Sequence, residues 1–310
     1  MDYHSTQQDD QSWPRLSSPS YSSSRPAPRW VPIIPPSQVL VFPNFLSVTD
    51  TCALVDYIQA QMAIQIDAHP RKPNIPRPGY AFRDNDRISI CSTEFAQMLW
   101  NKAGLRDRWF ELWQNPKYGL ETVHGESVTS GTRNNKRIRH AVGLSSNIRF
   151  YRYQTGQSFG AHYDESVVED PEEGTVSEYT VLIYLNGERD SDLLGGETVF
   201  YPKGKKPIPA APTRSTGPGA ESASGGRGPR KGAGGANSKA AQKPGSGCAS
   251  DSKSSSGDLF YTLPNGGIAV KPERGLLLVH RHGDECMLHE ALSVSRGYKY
   301  VLRTDVVYEP

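Results

Sequence analysis

The sequence predicts an α+β fold, mainly β: a double-stranded β-helix, or jelly roll, with N-terminal helices packed on one face. Three observations predict it. From about residue 145 onward, short apolar or alternating runs separated by glycine turns follow one another, the pattern of many short strands. Helical spacing of apolar residues is confined to the N-terminal part. Two stretches offer almost no large apolar side chains in a regular pattern: residues 1–35, rich in Ser, Pro, Gln and Asp, and residues about 203–257, rich in Gly, Ser, Ala, Pro and Lys. Neither buries enough surface to offset chain entropy, so both are expected to be disordered, the first as a leader and the second as an insert. The domain expected over 36–310 then keeps roughly 220 of the 310 residues outside the insert, a size that suits one catalytic domain.

The elements follow in order. Gln38-Val39-Leu40-Val41-Phe42 reads as a strand and Pro43-Asn44-Phe45-Leu46 as a turn. Ser47 is the expected N-cap of a helix, with Asp50 in its first turn, where a carboxylate suits the helix dipole. Ala53, Leu54, Tyr57 and Ile58 recur at helical spacing to about residue 64. Four prolines make residues 69–80 a loop, and the chain returns to strand over Phe82 to Ile90. A second helix starts near Ser92, with Phe95, Leu99 and Trp100 on its buried face. Residues 113–140 are polar and irregular. Strands then dominate: 145–153, the stretch ending at Asp164, 179–186, 195–200, 266–270, 275–280, 289–294 and 299–308.

Charge and cysteine usage narrow the classes. The net charge is +2, but residues 203–257 carry ten Lys or Arg against two acids, so the remainder is close to −6. A basic, glycine-rich segment can meet nucleic acid or acidic partners through its charge. It lacks the aromatics that stack on bases, which favours a solvated spacer over a nucleic-acid partner. Cys52, Cys91, Cys248 and Cys286 form no Cys-x-x-Cys pair, so neither a zinc site nor a disulfide framework is expected, and the usage fits a reducing compartment. The N-terminus is polar where a signal peptide needs an apolar core, and no run approaches a membrane span of about 18 apolar residues. The expectation is a soluble, intracellular protein, cytoplasmic or nuclear, without a membrane partner.

The chemistry centres on His162-Tyr163-Asp164. On a strand, residues two apart share a face, so one imidazole and one carboxylate project together. That is two thirds of a 2-His-1-carboxylate triad, the donor set that suits ferrous iron and leaves coordination positions open. Alone, His-x-Asp is also a common pair of surface polars. On sequence, His280, His282 and His289 compete for the third position, whereas His124 and His140 lie in a loop away from the strand motifs.

Read in order, the motifs resemble the prolyl 4-hydroxylase-like branch of the iron(II)- and 2-oxoglutarate-dependent dioxygenases. The matching pieces are Arg152-Tyr153-Gln154-Thr155-Gly156-Gln157, His162-Tyr163-Asp164, Thr180 to Asn186, Gly195-Gly196-Glu197-Thr198-Val199-Phe200, and His289 to Val294 with Lys299 ten residues beyond His289. The entry over Val39 to Leu54 is similar as well. The resemblance implies metal ligands His162, Asp164 and His289. It implies Fe(II), with 2-oxoglutarate as cosubstrate, and ascorbate as reductant. Lys299 stands where the branch holds the far carboxylate of 2-oxoglutarate. Arg303 shares the face of Lys299 along one strand, and either cation could bind that carboxylate. Tyr153 matches a tyrosine that hydrogen-bonds the cosubstrate, and Thr180 is a further candidate lining residue. A carboxylate at 164 distinguishes the chain from related halogenases, so hydroxylation is the implied outcome.

The function so implied is hydroxylation of a peptidyl substrate, prolyl among the options, or of a small molecule, consuming O2 and 2-oxoglutarate and releasing succinate and CO2. Two other readings compete: a non-catalytic jelly-roll scaffold using the basic insert, and nucleic-acid demethylation by the same iron chemistry, which needs a base-accepting pocket. Nothing in the sequence names the substrate or the oligomeric state.

Overall fold

The computed structural model describes residues 12–17, 29–34, 38–68, 75–113, 140–189, 191–207 and 259–310. The elements are β1 (Val31–Ile34), β2 (Val39–Phe42), α1 (Val48–Ala68), β3 (Asp86–Cys91), α2 (Thr93–Gln97), which runs on through a π turn at Met98–Lys102, and α3 (Leu105–Trp113). The strands continue as β4 (Ala141–Leu144), β5 (Asn147–Gln154), β6 (Phe159–His162), β7 (Val168–Asp170), β8 (Thr175–Tyr184), β9 (Leu194–Gly195) and β10 (Thr198–Tyr201). The last six are β11 (Phe260–Thr262), β12 (Ile268–Val270), β13 (Leu277–Arg281), β14 (Leu288–Ala291), β15 (Val294–Arg296) and β16 (Tyr298–Tyr308).

Two antiparallel sheets make up the jelly-roll-like body. The larger runs β1-β2-β13-β8-β16-β5-β3, with β4 added on β16 and β7 on β8; the smaller runs β11-β12-β10-β14-β6. Neighbours in each sheet are mostly distant in sequence, so the short strands expected from the glycine punctuation are tied together by crossovers.

Alternation along the strands of the larger sheet sorts side chains into two buried layers. One parity joins the helices: Leu40, Phe42, Phe150, Val181, Ile183, Leu277, Val279 and Leu302 share a cluster with Leu54, Ile58, Phe95, Leu99 and Trp109. The other parity faces the space between the sheets, where Val41, Tyr151, Tyr153, Tyr184, Leu278 and Val301 cluster with Phe200, Val270 and Ala291. β8 and β16 are central strands with both faces largely buried. The inward parity is the one that carries polar groups: Thr180 on β8, His280 on β13, and Lys299 and Arg303 on β16.

The start of α1 behaves as its sequence indicates. Ser47 Oγ accepts from the Asp50 backbone N–H (3.1 Å) and donates to Asp50 Oδ2 (2.6 Å), a reciprocal cap that satisfies the first-turn donors. Ser92 caps α2 by accepting from the Phe95 N–H (3.1 Å). Gly275, at φ +74°, lets the chain turn against the Leu46 carbonyl; a Cβ there would sit 2.3 Å from that oxygen.

Within the leader expected over residues 1–35, the structure corrects the expectation at residues 12–17 and 29–34; the rest of that stretch lies outside the described residues. Trp13 stacks on Phe95, with centroids 4.1 Å apart, and lies 4.8 Å from Tyr57. Leu16 and Trp30 belong to the core cluster. The Ser17 N–H donates to Asp50 Oδ1 (2.9 Å), and Trp30 Nε1 donates to the Arg108 carbonyl (2.8 Å). Residues Val31–Ile34 pair with β2 as an edge strand. Single large side chains in a polar context show no periodicity, yet each fills a gap that helix and sheet already line. The insert expected at 203–257 falls largely outside the described residues, as does the loop at 114–139. No disulfide framework was expected; Cys52 is nevertheless disulfide-bonded, whereas Cys91 and Cys286 are free thiols, because sequence spacing does not fix which thiols meet in space. No helix among the described residues is long and apolar enough to cross a membrane.

Candidate metal centre

β6 and β14 pair antiparallel at the edge of the smaller sheet, and their register sets His162 directly opposite His289. Their rings lie 4.3 Å apart, centroid to centroid. Asp164 is two residues past His162, just beyond the end of β6, so it reaches the pair from the connection rather than from within the strand. Oxygen and nitrogen donor atoms of His162, Asp164 and His289 all lie within 4.8 Å of one another. The Nε2 atoms of His162 and His289 are 3.7 and 3.6 Å from the Asp164 carboxylate. All three residues are largely shielded from water, which strengthens any interaction with a cation held between them.

Local bonds hold each donor. The His162 Nδ1 meets the Gly160 carbonyl at 2.8 Å, and the His289 Nδ1 meets the Met287 carbonyl at 2.9 Å. A carbonyl only accepts, so the proton of each neutral ring sits on Nδ1 and the Nε2 lone pair faces the carboxylate. This arrangement of the remote nitrogen is what orients imidazole ligands in metal sites. Phe159 stacks on His162 at 3.8 Å and Phe200 on His289 at 5.6 Å, so both rings are fixed from the side. Thr180 Oγ1 donates to Asp164 Oδ2 (2.9 Å) and contacts His282 Nδ1 (3.1 Å). Asp164 also receives the Arg303 guanidinium on Oδ1 at 2.9 Å.

Electrostatics follow from this packing. Burial opposes ionisation of Asp164, but Arg303 and then His289 outweigh it and hold the carboxyl well below its usual range. Burial pushes the His162 pKa down to about 4, helped by the charge of His289. His289 moves the other way: burial opposes its charge, but the neighbouring carboxylate raises it to about 9. The donors therefore form one coupled group around the Asp164 carboxylate, whose charge Arg303 already balances in part. The chemistry of the set, imidazole nitrogens and an ionised carboxylate, fits a first-row divalent ion such as Fe(II).

The remaining expected residues line one inter-sheet cavity with the donors, with one exception. Tyr153, Lys299 and Arg303 border it together with Tyr151, Tyr184 and Val301. Lys299 is 2 % exposed. Its Nζ donates to the Gly196 carbonyl (2.5 Å) and lies 5.1 and 5.4 Å from the ring centres of Tyr153 and Tyr184. Burial lowers its pKa to about 7. Gly196, at φ +78°, makes this approach: a Cβ there would meet Lys299 Cδ at 3.1 Å. Thr180 is the exception, because it stands behind Asp164 and does not border the cavity. Arg303 does border it, but its guanidinium is engaged with Asp164 and lies 3.6 Å from Asp305.

His280 is the residue that sequence reasoning undervalued. Considered only as a rival of His289, it instead joins the same cavity, with Nε2 3.5 Å from Asp164 Oδ2 and its ring 4.6 Å from that of His289. The available signal was parity: His280 is two residues beyond the inward Leu278 on β13. His282 takes a different place, bonded to Thr180 from the far side.

No protein-family model matches the chain, and no curated protein matches it significantly. Solved structures similar to it include a prolyl-4-hydroxylase from Pseudomonas putida, at 14% identity over 87% of this chain and 92% of that one, TM-score 0.41. A viral collagen prolyl hydroxylase from Paramecium Bursaria Chlorella virus-1 shares 14% identity over 88% and 97%, TM-score 0.37. An oxidoreductase of the 2OG-Fe(II) oxygenase family from Burkholderia pseudomallei shares 14% identity over 85% and 90%, TM-score 0.32.

Proposed function

We propose that the protein is an iron(II)- and 2-oxoglutarate-dependent oxygenase that hydroxylates a peptidyl substrate, prolyl among the options, or a small molecule. The observation that carries the reading is the joint placement of two imidazole nitrogens and a carboxylate at one end of a cavity that also holds a buried lysine. An interior cation with no acidic partner in hydrogen-bond range among the described residues is costly unless an anionic ligand completes it.

In this reading His162, Asp164 and His289 hold Fe(II), which when bound supplies the oxygen-activating chemistry together with 2-oxoglutarate. Lys299 receives the far carboxylate of 2-oxoglutarate as a point charge, and the Tyr153 ring beside it shapes the pocket. Arg303 is assigned to Asp164, whose charge it balances, and Thr180 to orienting the same carboxylate. The side chains of Tyr151, Tyr184 and Val301 exclude water around the cosubstrate, which strengthens each of these contacts. Products are succinate, CO2 and the hydroxylated substrate, and ascorbate is expected to sustain turnover by keeping iron ferrous.

The test is anaerobic titration of the full-length protein with Fe(II) and 2-oxoglutarate. A weak visible charge-transfer band is expected, followed on aeration by slow succinate release even without substrate. Asp164→Ala and His162→Ala should abolish both. No band in the wild-type protein, or unchanged succinate release in both variants, would overturn the proposal. A succinate-release screen across proline-containing peptides and metabolites then identifies the substrate.

A further inference from the structure

We propose that His280, Cys286 and His289 form a second donor set, which takes a thiophilic divalent ion of the zinc class in place of iron. The inference goes beyond the oxygenase reading and leaves its three ligands, His162, Asp164 and His289, as they stand.

One donor atom from each of the three residues lies within 4.8 Å of the other two. All three come from one ten-residue stretch, His280-x5-Cys286-x2-His289, which runs from β13 through a 3-10 turn at Gly283–Glu285 into β14. The Cys286 backbone N–H donates to the Gly283 carbonyl (3.0 Å) and closes that turn. The chain has no Cys-x-x-Cys pair, so a site with a sulfur donor emerges only when the turn brings the thiol back beside the two strands.

Local bonds present each donor. His280 is 2 % exposed, and its Nδ1 meets the Arg281 carbonyl at 3.0 Å. A carbonyl only accepts, so the proton of the neutral ring is on Nδ1. Its Nε2 keeps a lone pair and has no hydrogen-bond partner among the described residues. Cys286 is a free thiol whose Sγ accepts the Asp164 backbone N–H at 3.2 Å and lies 3.9 Å from His289 Nδ1. Bonds of this kind orient ligands from outside the coordination sphere. Phe200 meets the His280 ring edge-on at 5.2 Å and stacks on His289 at 5.6 Å, so one side chain sets both imidazoles.

Donor softness sorts the ions. Two imidazoles with a carboxylate suit ferrous iron, whereas two imidazoles with a thiolate suit zinc. Cys286 is partly exposed, which leaves the fourth position of a tetrahedral ion to solvent. Both sets draw on His289 and adjoin one carboxylate, His280 Nε2 being 3.5 Å from Asp164 Oδ2. Two divalent ions so close repel each other, so the protein holds one or the other. An ion in the second set therefore takes His289 from the first and blocks iron.

The experiment is ultraviolet titration of the full-length protein with Cd(II) alone, which reports a thiolate ligand by charge-transfer absorption. One saturating band is expected in the wild type, retained in Cys91→Ser and in His162→Ala and lost in Cys286→Ser. His280→Gln should weaken Cd(II) binding by about tenfold or more. No band in the wild type, a band that survives Cys286→Ser, or one lost in His162→Ala would overturn the proposal, as would unchanged Cd(II) affinity in His280→Gln. The two serine variants decide the matter even where His280→Gln does not fold.

Discussion

Arg303→Met removes the guanidinium that neutralises Asp164 while leaving a side chain of similar length to fill the cavity wall. The Asp164 carboxylate is 7 % exposed and receives Arg303 at 2.9 Å. Breaking one side of a buried ion pair costs about 3–5 kcal/mol, because the remaining charge keeps its desolvation without its partner. Thr180 still donates to Oδ2 and His289 still lies beside it, which places the expected loss at the low end, about 3 kcal/mol. For a domain of this size that corresponds to a Tm lower by roughly 6–12 °C. The assay is thermal and urea unfolding followed by circular dichroism, in chelator and in saturating Co(II). The loss should be largest in chelator and shrink with metal, because the ion supplies the missing positive charge. The pH dependence has a defined sign. The folded Asp164 pKa is depressed, so its stabilisation is present above about pH 4 and is lost as pH falls through the folded value. The gap between variant and wild type should therefore narrow below about pH 4. A loss under about 1 kcal/mol at neutral pH in chelator, or one that metal does not reduce, would refute the reasoning.

Three further outcomes are expected. Burial brings Lys299 to about 7, so at saturating Co(II) the affinity for 2-oxoglutarate should decline by up to about tenfold per pH unit above that value. In Lys299→Arg the profile should be flat, and calorimetry from pH 6.5 to 9 (about the range the shift spans) checks both. Thr180→Val keeps the packing but deletes the hydroxyl on Asp164, and should weaken Co(II) binding about 10- to 100-fold, measured against a competing chelator. Trp13→Ala removes the ring stacked on Phe95 and should destabilise the protein by about 2 kcal/mol in urea unfolding; an unchanged midpoint would mean that the N-terminal segment contributes nothing to the core.

Much of the site was legible because strand parity is local. Lys299, Val301 and Arg303 share a face of β16 by chain geometry alone, and the structure keeps them on one wall of the cavity. The cap at Ser47 was likewise readable from neighbouring residues. Parity does not say what the opposing wall brings. His280 and Asp164 are 116 positions apart, and their 3.5 Å contact depends on β13 pairing with β8 and on where the chain leaves β6. The same limit explains Thr180, whose inward position was predictable but whose hydroxyl donates to the Asp164 carboxylate from outside the cavity. It also explains Trp13 and Leu16, which carry no periodic pattern and enter the core one side chain at a time.

The chain by itself determined the strand-rich body and the His-x-Asp pair, because alternation, turn chemistry and spacing act over a few residues, while the lysine on β16 came from the family resemblance. Only the tertiary structure decided which histidines meet that aspartate and which cation it takes. Those choices depend on the register between sequence-distant strands, where β6 facing β14 and β13 beside β8 bring three imidazoles around one carboxylate.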